Sequence, residues 1–98
     1  FAPIVSIVSY ETLDEAIAHV NNSSLGLNAG IYTNILTDAM RAADELEAGA
    51  VIINDIPTFR VDNMPYGGVK MSGYGKEGIK YAVEEMTSLK FITIKTIF

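Results

Sequence analysis

Strand-like and helix-like segments alternate in the first half of the chain. This alternation limits the possible folds more than any other feature of the sequence. Residues 4–9, 29–33 and 50–54 are short, largely apolar runs that are typical of buried strands. A helix-like segment lies between each pair of runs. A β-α-β-α-β order with short connections predicts parallel strands joined by right-handed crossovers. We therefore expect an α/β fold, with flanking helices on a parallel sheet.

Both predicted helices carry local start signals. Thr12 and Glu15 form a capping box, and the helix that they open is expected to end within residues 21–24. Thr37 and Asp38 open the second helix, and Gly49 is its expected end. The predicted buried stripes consist of Leu13, Ala16, Ile17 and Val20 in the first helix and of Ala39, Met40, Ala43 and Leu46 in the second.

The alternation stops at residue 55, and residues 55–76 form a long glycine-rich segment without a clear period. A loop of this length in a compact domain is usually functional. Residues 73–78 read GYGKEG and fit the dinucleotide-binding pattern G-x-G-x-x-G. However, no predicted strand leads into them, and no acid follows about 20 residues later. We interpret these glycines as turn residues that permit positive φ or close backbone contact.

The C-terminal part is predicted to form a helix and then a projecting strand. The helix covers residues 77–86, and the last residues read LKFITIKTIF, a strand-like composition. Both faces of this strand are partly apolar, so its edge needs a neighbour. That neighbour is either another subunit or a core strand of the same domain. The residues predicted to face inward from the helix are Ile79, Ala82, Val83 and Met86.

Composition limits the partners and the chemistry. The formal net charge of −5 argues against nucleic acid, since nothing here neutralises a run of phosphates. We also expect no membrane partner, because the sequence has neither a basic cluster nor a long apolar run. Without cysteine, these residues provide no disulfide, thiolate zinc site or cysteine nucleophile. One histidine, His19, cannot form a metal cluster, so we expect no metal.

Other features of the sequence predict a fragment of a cytoplasmic protein. The chain opens at Phe1 in a strand-like run, with no signal-peptide pattern. Hydrophobic residues make up 49% of it and charged residues 19%, which is apolar for a small free-standing domain. We expect part of its surface to be covered by other protein.

Four blocks of the sequence resemble the C-terminal part of aldehyde dehydrogenases. They read FAP, NNSSLGL, AGAVIIN and PYGGVKMSGYGKE, in the family's order and at similar spacing. The resemblance implies a longer parent enzyme that oxidises an aldehyde to an acid, or to an acyl thioester, with NAD or NADP. It implies that residues 1–87 are the C-terminal part of the catalytic domain and residues 88–98 an oligomerisation strand, with a homo-oligomer formed through residues 89–97.

The resemblance also implies roles for individual residues. Glu77 matches a glutamate that helps relay protons from the general base, where burial is expected. Phe1 matches an aromatic residue beside the nicotinamide, although a core aromatic at a strand start explains it equally. Phe59 and Tyr66 match residues that line the aldehyde tunnel. Support for the catalytic loop is implied for Gly67, Gly68, Ser72, Gly73 and Gly75.

The substrate and the activity of the chain leave alternatives open. The loop of residues 55–64, with Arg60, favours a semialdehyde or lactaldehyde-like substrate, and Arg60 is a candidate to face an anionic group of it. The alternative is that this loop says nothing about the substrate. Otherwise Arg60, like Lys70 and Lys76, is a solvated surface charge. The resemblance places the catalytic cysteine and the cofactor domain before Phe1, so we expect the fragment alone to be inactive and to bind no cofactor. The alternatives are a non-catalytic oligomerisation module derived from that family and a free nucleotide-binding domain built on GYGKEG.

Overall fold

A pair of parallel strands packed against two helices organises the first half of the structure. The elements of the computed structural model, which describes residues 2–97, are α1 (Leu13–Asn21), β1 (Leu25–Gly26), β2 (Asn28–Ile31), α2 (Leu36–Glu45), β3 (Ala50–Ile53), β4 (Val69–Lys70) and α3 (Ile79–Met86). Strands β2 and β3 pair in parallel, with Asn28 opposite Ala50 and Ile31 opposite Ile53. Strands β1 and β4 form a short antiparallel pair that the sequence did not predict. The α/β class with a parallel sheet is confirmed, although the sheet is small.

The capping box predicted at Thr12 starts α1. The Glu15 N–H donates to Thr12 Oγ1 at 3.2 Å, and Glu15 Oε2 accepts from the Glu11 N–H at 2.9 Å. The second bond is one residue ahead of the usual capping-box amide. This bond from Glu11 lowers the pKa of Glu15, because it favours the charged carboxylate. The helix ends at Asn21, as predicted.

The buried face of α2 differs from the predicted stripe. Ala39 is buried as expected, and Leu46 is half-buried just beyond the helix. Ala42 takes the central position and is completely buried, whereas Met40 and Ala43 are exposed. The spacing of residues 39, 42 and 46 is that of one helix face. The predicted stripe is therefore partly wrong, because the adjacent alanines 42 and 43 are both small and apolar and either could belong to the buried face.

The core of the described residues lies where α1 and α2 meet the β2–β3 sheet. Its buried apolar side chains are Ile17 of α1 and Ala39 and Ala42 of α2. The other residues predicted to face inward from α1 are half-buried, except Val20, which is 48% exposed. A core of one isoleucine and two alanines buries little apolar area, which indicates that these residues alone gain little hydrophobic stabilisation.

Arg41 joins α1 and α2 at the surface. Its Nε donates to Glu45 Oε1 at 2.7 Å on the same helix, and its Nη2 donates to Asp14 Oδ1 on α1. The hydrogen bonds to Glu45 and then to Asp14 raise the pKa of Arg41, because both carboxylates favour the charged guanidinium. Since the side chain is exposed to solvent, this link orients the helices more than it stabilises them.

Gly49 has a different role from the one predicted. α2 begins at Leu36, one residue before the predicted start at Thr37, and it ends at Glu45, well before Gly49. The Gly49 N–H donates to Gly26 O at 3.0 Å. A Cβ atom at position 49 would lie only 1.8 Å from Gly67 O. Glycine is therefore needed here for close backbone contact and not to end a helix.

The two predicted outer strands do not form within the described part of the chain. Residues 4–9 have no strand beside them, and Ile7 is 92% exposed, so the prediction of a buried strand is wrong. The segment after α3 also has no strand partner, and Leu89 and Phe91 are almost fully exposed. The structure measures 74 × 34 × 24 Å. Composition can predict an extended segment, but a strand forms only where a neighbour supplies hydrogen bonds.

Helix α3 presents its apolar residues to solvent. Ile79, Val83 and Met86 were predicted to face inward, but each is more than half exposed. Ala82, the fourth residue of the predicted stripe, is half-buried, as is Tyr81, which was not predicted to face inward. The prediction of this stripe is therefore wrong for three of its four residues, which lie on a face open to solvent in the described part of the chain. Within residues 2–97, no helix combines the length and apolar character needed to cross a membrane.

Candidate functional site

The glycine-rich segment forms a loop that closes on itself. The Glu77 N–H donates to Tyr66 O at 2.6 Å, and the Tyr66 N–H donates to Glu77 O at 3.2 Å. Between these residues, β4 pairs with β1, and Ser72 Oγ accepts from the Gly26 N–H at 2.8 Å. The two ends of the loop are therefore joined to each other, and its middle is attached to the chain segment after α1.

Arg60 lies against both ends of this loop. Its Nη2 donates to Glu77 Oε2 at 2.8 Å, and its guanidinium carbon lies 4.4 Å from the centre of the Tyr66 ring. Stacking of a guanidinium on an aromatic ring adds a favourable cation–π contact. The arrangement brings together two predicted site residues and the predicted anion-binding candidate. The sequence did not predict the Arg60–Glu77 pair, because the two residues lie 17 positions apart in a segment without periodicity.

One open cavity of about 550 Å³ is lined by every predicted site residue between Tyr66 and Glu77. Phe59 does not line this cavity and is 47% exposed. Glu77 was expected to be buried, but 65% of its side chain is exposed here, so that expectation is wrong for the described residues. Phe1, the predicted nicotinamide contact, lies outside the described residues. Its role and the tunnel roles of Phe59 and Tyr66 stay predictions.

The glycines of the loop act as turn and contact residues, as predicted. Gly73 and Gly75 have φ of 145° and 73°, values that L-residues rarely adopt. Gly67 allows close approach, since a Cβ there would lie 2.5 Å from Gly75 O. A Cβ at Gly68 would lie 2.4 Å from the Ser72 Cβ. The absence of side chains at Gly67 and Gly68 therefore lets the two halves of the loop approach each other closely.

GYGKEG does not fit a dinucleotide in this structure. We predicted that no strand precedes these residues, and this is wrong in detail. Strand β4 ends at Lys70, three residues before Gly73. That strand is antiparallel and two residues long, unlike the buried parallel strand of a dinucleotide fold. In addition, the Glu85 carboxylate lies close to Gly75, since its Oε2 would be 2.7 Å from a Cβ atom built there. A carboxylate beside the loop would repel a pyrophosphate.

The two lysines of the loop are not solvated surface charges, contrary to our expectation. Lys70 is half-buried, and its Nζ donates to the backbone oxygens of Asn21 and Ser23. Lys76 is also half-buried, and its Nζ donates to Gly67 O at 3.0 Å. No sequence signal predicted these contacts, because their acceptors are backbone carbonyls. Among the described residues, no group of three histidine or acidic side chains could hold a metal ion.

Comparison with known proteins identifies relatives over nearly the whole chain. The profile described as "Aldehyde dehydrogenase family" matches residues 1–92. A 3-sulfolactaldehyde dehydrogenase of Priestia aryabhattai is 55% identical over 94 residues, which cover 96% of this chain and 20% of the relative. A lactaldehyde dehydrogenase of Methanococcus maripaludis is 54% identical over 97 residues, which cover 99% of this chain and 21% of the relative.

A solved structure supports the same relationship. The NAD+ complex of an aldehyde dehydrogenase from Bacillus cereus superposes with a TM-score of 0.86 at 38% identity, covering 92% of this chain and 18% of that one. The chain therefore spans about one-fifth of the length of the curated relatives named above. The match between sequence, fold and family profile leads to one conclusion: this chain belongs to the aldehyde dehydrogenase family.

Proposed function

We propose that these residues are the C-terminal part of the catalytic domain of a longer, NAD(P)-dependent aldehyde dehydrogenase that oxidises a small aldehyde to a carboxylic acid. The observation that carries this proposal is the family match over residues 1–92, together with relatives that are about five times longer. The end of α3 at Met86 supports a boundary near residue 87, since a largely exposed segment with several apolar side chains follows it.

The chemistry supports a dependence on residues outside this chain. An aldehyde loses hydride readily only after a nucleophile has added to its carbonyl carbon, and the sequence contains no cysteine to do this. The described loop also does not fit a dinucleotide, so the cofactor is expected to bind elsewhere in the longer protein. We expect residues 1–98 alone to be inactive and to bind neither NAD nor NADP.

The roles proposed for the loop concern substrate binding and proton transfer. Tyr66 lines the cavity together with Glu77, so its ring could contact an aldehyde while the carboxylate takes part in a proton relay. We propose that Arg60 selects the substrate. Its Nη2 is bonded to Glu77, and among the described residues its other N–H groups have no acceptor. Those donors are suited to a carboxylate or a sulfonate.

The substrates in the names of two relatives differ in charge. The name of one implies a sulfo group on its aldehyde, whereas lactaldehyde, named for the other, is uncharged. We propose a lactaldehyde-like substrate with an anionic group that Arg60 binds. This extends the expectation based on the loop of residues 55–64 and Arg60, because the guanidinium lies beside two residues that line the cavity.

The full-length protein tests both parts of the proposal. Formation of reduced NAD or NADP is measured with 3-sulfolactaldehyde, with lactaldehyde and without aldehyde. Arg60→Met should lower kcat/KM for the sulfonated aldehyde about 10- to 100-fold and for lactaldehyde much less, because only the former loses a charge-assisted bond. Arg41→Met is the matched control, since Arg41 has a side-chain exposure of 44%, close to the 47% of Arg60. Failure of the full-length protein to oxidise any aldehyde would overturn the proposed activity, and equal losses on both substrates would overturn the role of Arg60.

We also propose a homo-oligomer formed through residues 89–97, in a protein of the cytoplasm. The support for the oligomer is that Leu89, Phe91 and Ile94 are each more than four-fifths exposed, an apolar surface that usually marks an interface. The same exposure favours the alternative of a non-catalytic module that binds intact subunits. The intact mass of the protein in its native cell decides between them. A species of roughly 50 kDa, five times this chain, supports the enzyme, and a species of 10.6 kDa supports the module.

A further inference from the structure

The ammonium group of Lys70 lies where three parts of the chain meet. Its Nζ donates to Asn21 O at 2.8 Å, to Ser23 O at 3.1 Å, and lies 2.5 Å from Glu47 Oε2. An ammonium has three N–H donors and no acceptor, so these three oxygens satisfy it completely. Asn21 is the last residue of α1 and Glu47 follows α2 by two residues, while Lys70 itself belongs to β4.

The partners of Lys70 are also bonded to one another. The Asn21 side chain donates from Nδ2 to Glu45 O at 2.8 Å and accepts at Oδ1 from the Glu47 N–H at 2.9 Å. The C-terminal ends of two helices therefore meet here, and each carries partial negative charge from its last carbonyl groups. The Glu47 carboxylate adds a full negative charge. The ammonium of Lys70 lies against this negative charge and compensates part of it.

The backbone of Lys70 is held in an unusual conformation. Its φ of 54° lies in the left-handed region, which a residue with a Cβ atom seldom adopts. Such a conformation persists where surrounding contacts determine it, and it often marks a functional site. The neighbouring bonds provide those contacts, since the Met71 N–H donates to Ser24 O at 2.9 Å and Ser72 Oγ accepts from the Gly26 N–H.

We propose that Lys70 is a positioning residue that sets the geometry of the loop carrying Tyr66 and Glu77. The loop is closed at its ends by the two Tyr66–Glu77 hydrogen bonds and is attached to the helices in its middle through Lys70. Without the ammonium, the middle of the loop loses its bonds to the ends of α1 and α2 and keeps only its weaker bonds to residues 24–26. We therefore expect the Tyr66–Glu77 hydrogen bonds at the ends of the loop to open more often. The effect on catalysis rests on the proposed function, whereas the effect on loop order does not.

The test uses hydrogen exchange in the full-length protein carrying Lys70→Met, which keeps the length of the side chain and removes its charge. The amides of Tyr66 and Glu77 should exchange about tenfold faster or more, as expected for the loss of a charge-assisted anchor. Glu47→Gln, a milder change at the partner, should give a smaller increase at the same amides. Lys80→Met is the matched control, because Lys80 is 73% exposed on α3 and should leave both amides unchanged.

Kinetics then separate positioning from general stabilisation. Lys70→Met should lower kcat about tenfold while the KM for NAD or NADP stays within about twofold, since a displaced loop misplaces the aldehyde and not the cofactor. Unchanged protection of Tyr66 and Glu77 in both the Lys70 and Glu47 variants would overturn the proposal, as would faster exchange spread evenly over the whole protein. If Lys70→Met does not fold, Glu47→Gln decides the question by the same measurement. Absence of aldehyde oxidation in the unaltered protein would count against the proposed function alone, because the exchange result would stand.

Discussion

Replacement of Gly49 by alanine tests whether close backbone contact holds the sheet and the loop together. Gly49 lies between α2 and β3, and a Cβ there would be 1.8 Å from Gly67 O and 2.9 Å from Leu27 O. Both oxygens are backbone atoms, so no side-chain rotation can relieve the overlap. A carbon–oxygen contact is normally about 3.3 Å or longer, so the Gly67 carbonyl would have to move by roughly 1.5 Å.

That displacement disturbs contacts on both sides of the glycine. Gly67 O also accepts a hydrogen bond from Lys76 Nζ, and the Gly49 N–H is bonded to Gly26 O. Overpacking costs about 1–3 kcal/mol, and a weakened hydrogen bond adds about 1 kcal/mol. We therefore expect Gly49→Ala to destabilise this region by about 3 kcal/mol, which corresponds to roughly 100-fold faster exchange of the β3 amides.

The assay is hydrogen exchange of the full-length protein, because a large protein seldom unfolds in one cooperative step. Gly30→Ala in β2 is the matched control. A Cβ at Gly30 meets no atom closer than 3.3 Å, and alanine is favoured over glycine in a strand. Gly30→Ala should therefore leave β3 exchange within about threefold of the unaltered protein. If Gly49→Ala behaved like Gly30→Ala, the contact between Gly49 and Gly67 would not be the tight one described.

Two further predictions concern a strained residue and a titrating one. Asn54 has φ of 59° and bonds the Thr33 backbone twice, through Oδ1 at 2.8 Å and Nδ2 at 3.0 Å. Asn54→Ala should cost about 2 kcal/mol and Asn54→Gly about half of that, since glycine tolerates this φ. Equal losses would contradict the strain argument, with local hydrogen exchange as the measurement. The hydrogen bond from the Glu11 N–H lowers the pKa of Glu15 below its ordinary value of 4.5. The ionised Glu15 carboxylate therefore stabilises the fold above about pH 4.5. This stabilisation is lost as the pH falls through the lowered pKa of the folded state. In Glu15→Gln the hydrogen exchange of the α1 amides should lack this acid-range change, and a pH dependence equal to that of the unaltered protein would contradict the prediction.

The parts of the fold that depend on neighbouring residues in the sequence could be predicted. The capping box at Thr12 needs only a partner three residues away, and the structure contains that hydrogen bond. The parallel pairing of β2 and β3 follows from the β-α-β order, and both strands lie within a residue or two of their predicted bounds. The positive φ values of Gly73 and Gly75 follow from residue type, since glycine is the residue that adopts them freely.

The parts of the fold that were predicted wrongly depend on contacts between residues far apart in the sequence. In α2, alanines at positions 39, 42 and 43 allow two apolar faces, and only the packing partner selects Ala42 over Ala43. The β1–β4 pair joins two-residue strands that are too short to show a period. Lys70 was predicted to be solvated because a charged side chain in a loop usually is, and its three acceptors come from two separate helix ends.

The wrong predictions of burial share one physical cause, and it bears on Glu77. Ile7, Ile79 and Leu89 are each more than four-fifths exposed, although their surroundings in the sequence are typical of buried segments. In the longer protein that we propose, other elements cover these side chains, and the same cover would enclose Glu77. Its Oε2 would still accept the bond from Arg60, so a proton relay would have to use Oε1 or wait for Arg60 to turn away. An anionic substrate group bound by the other N–H groups of Arg60 would compete with Glu77 for the guanidinium, and a weakened bond to Glu77 would make its carboxylate available for proton transfer.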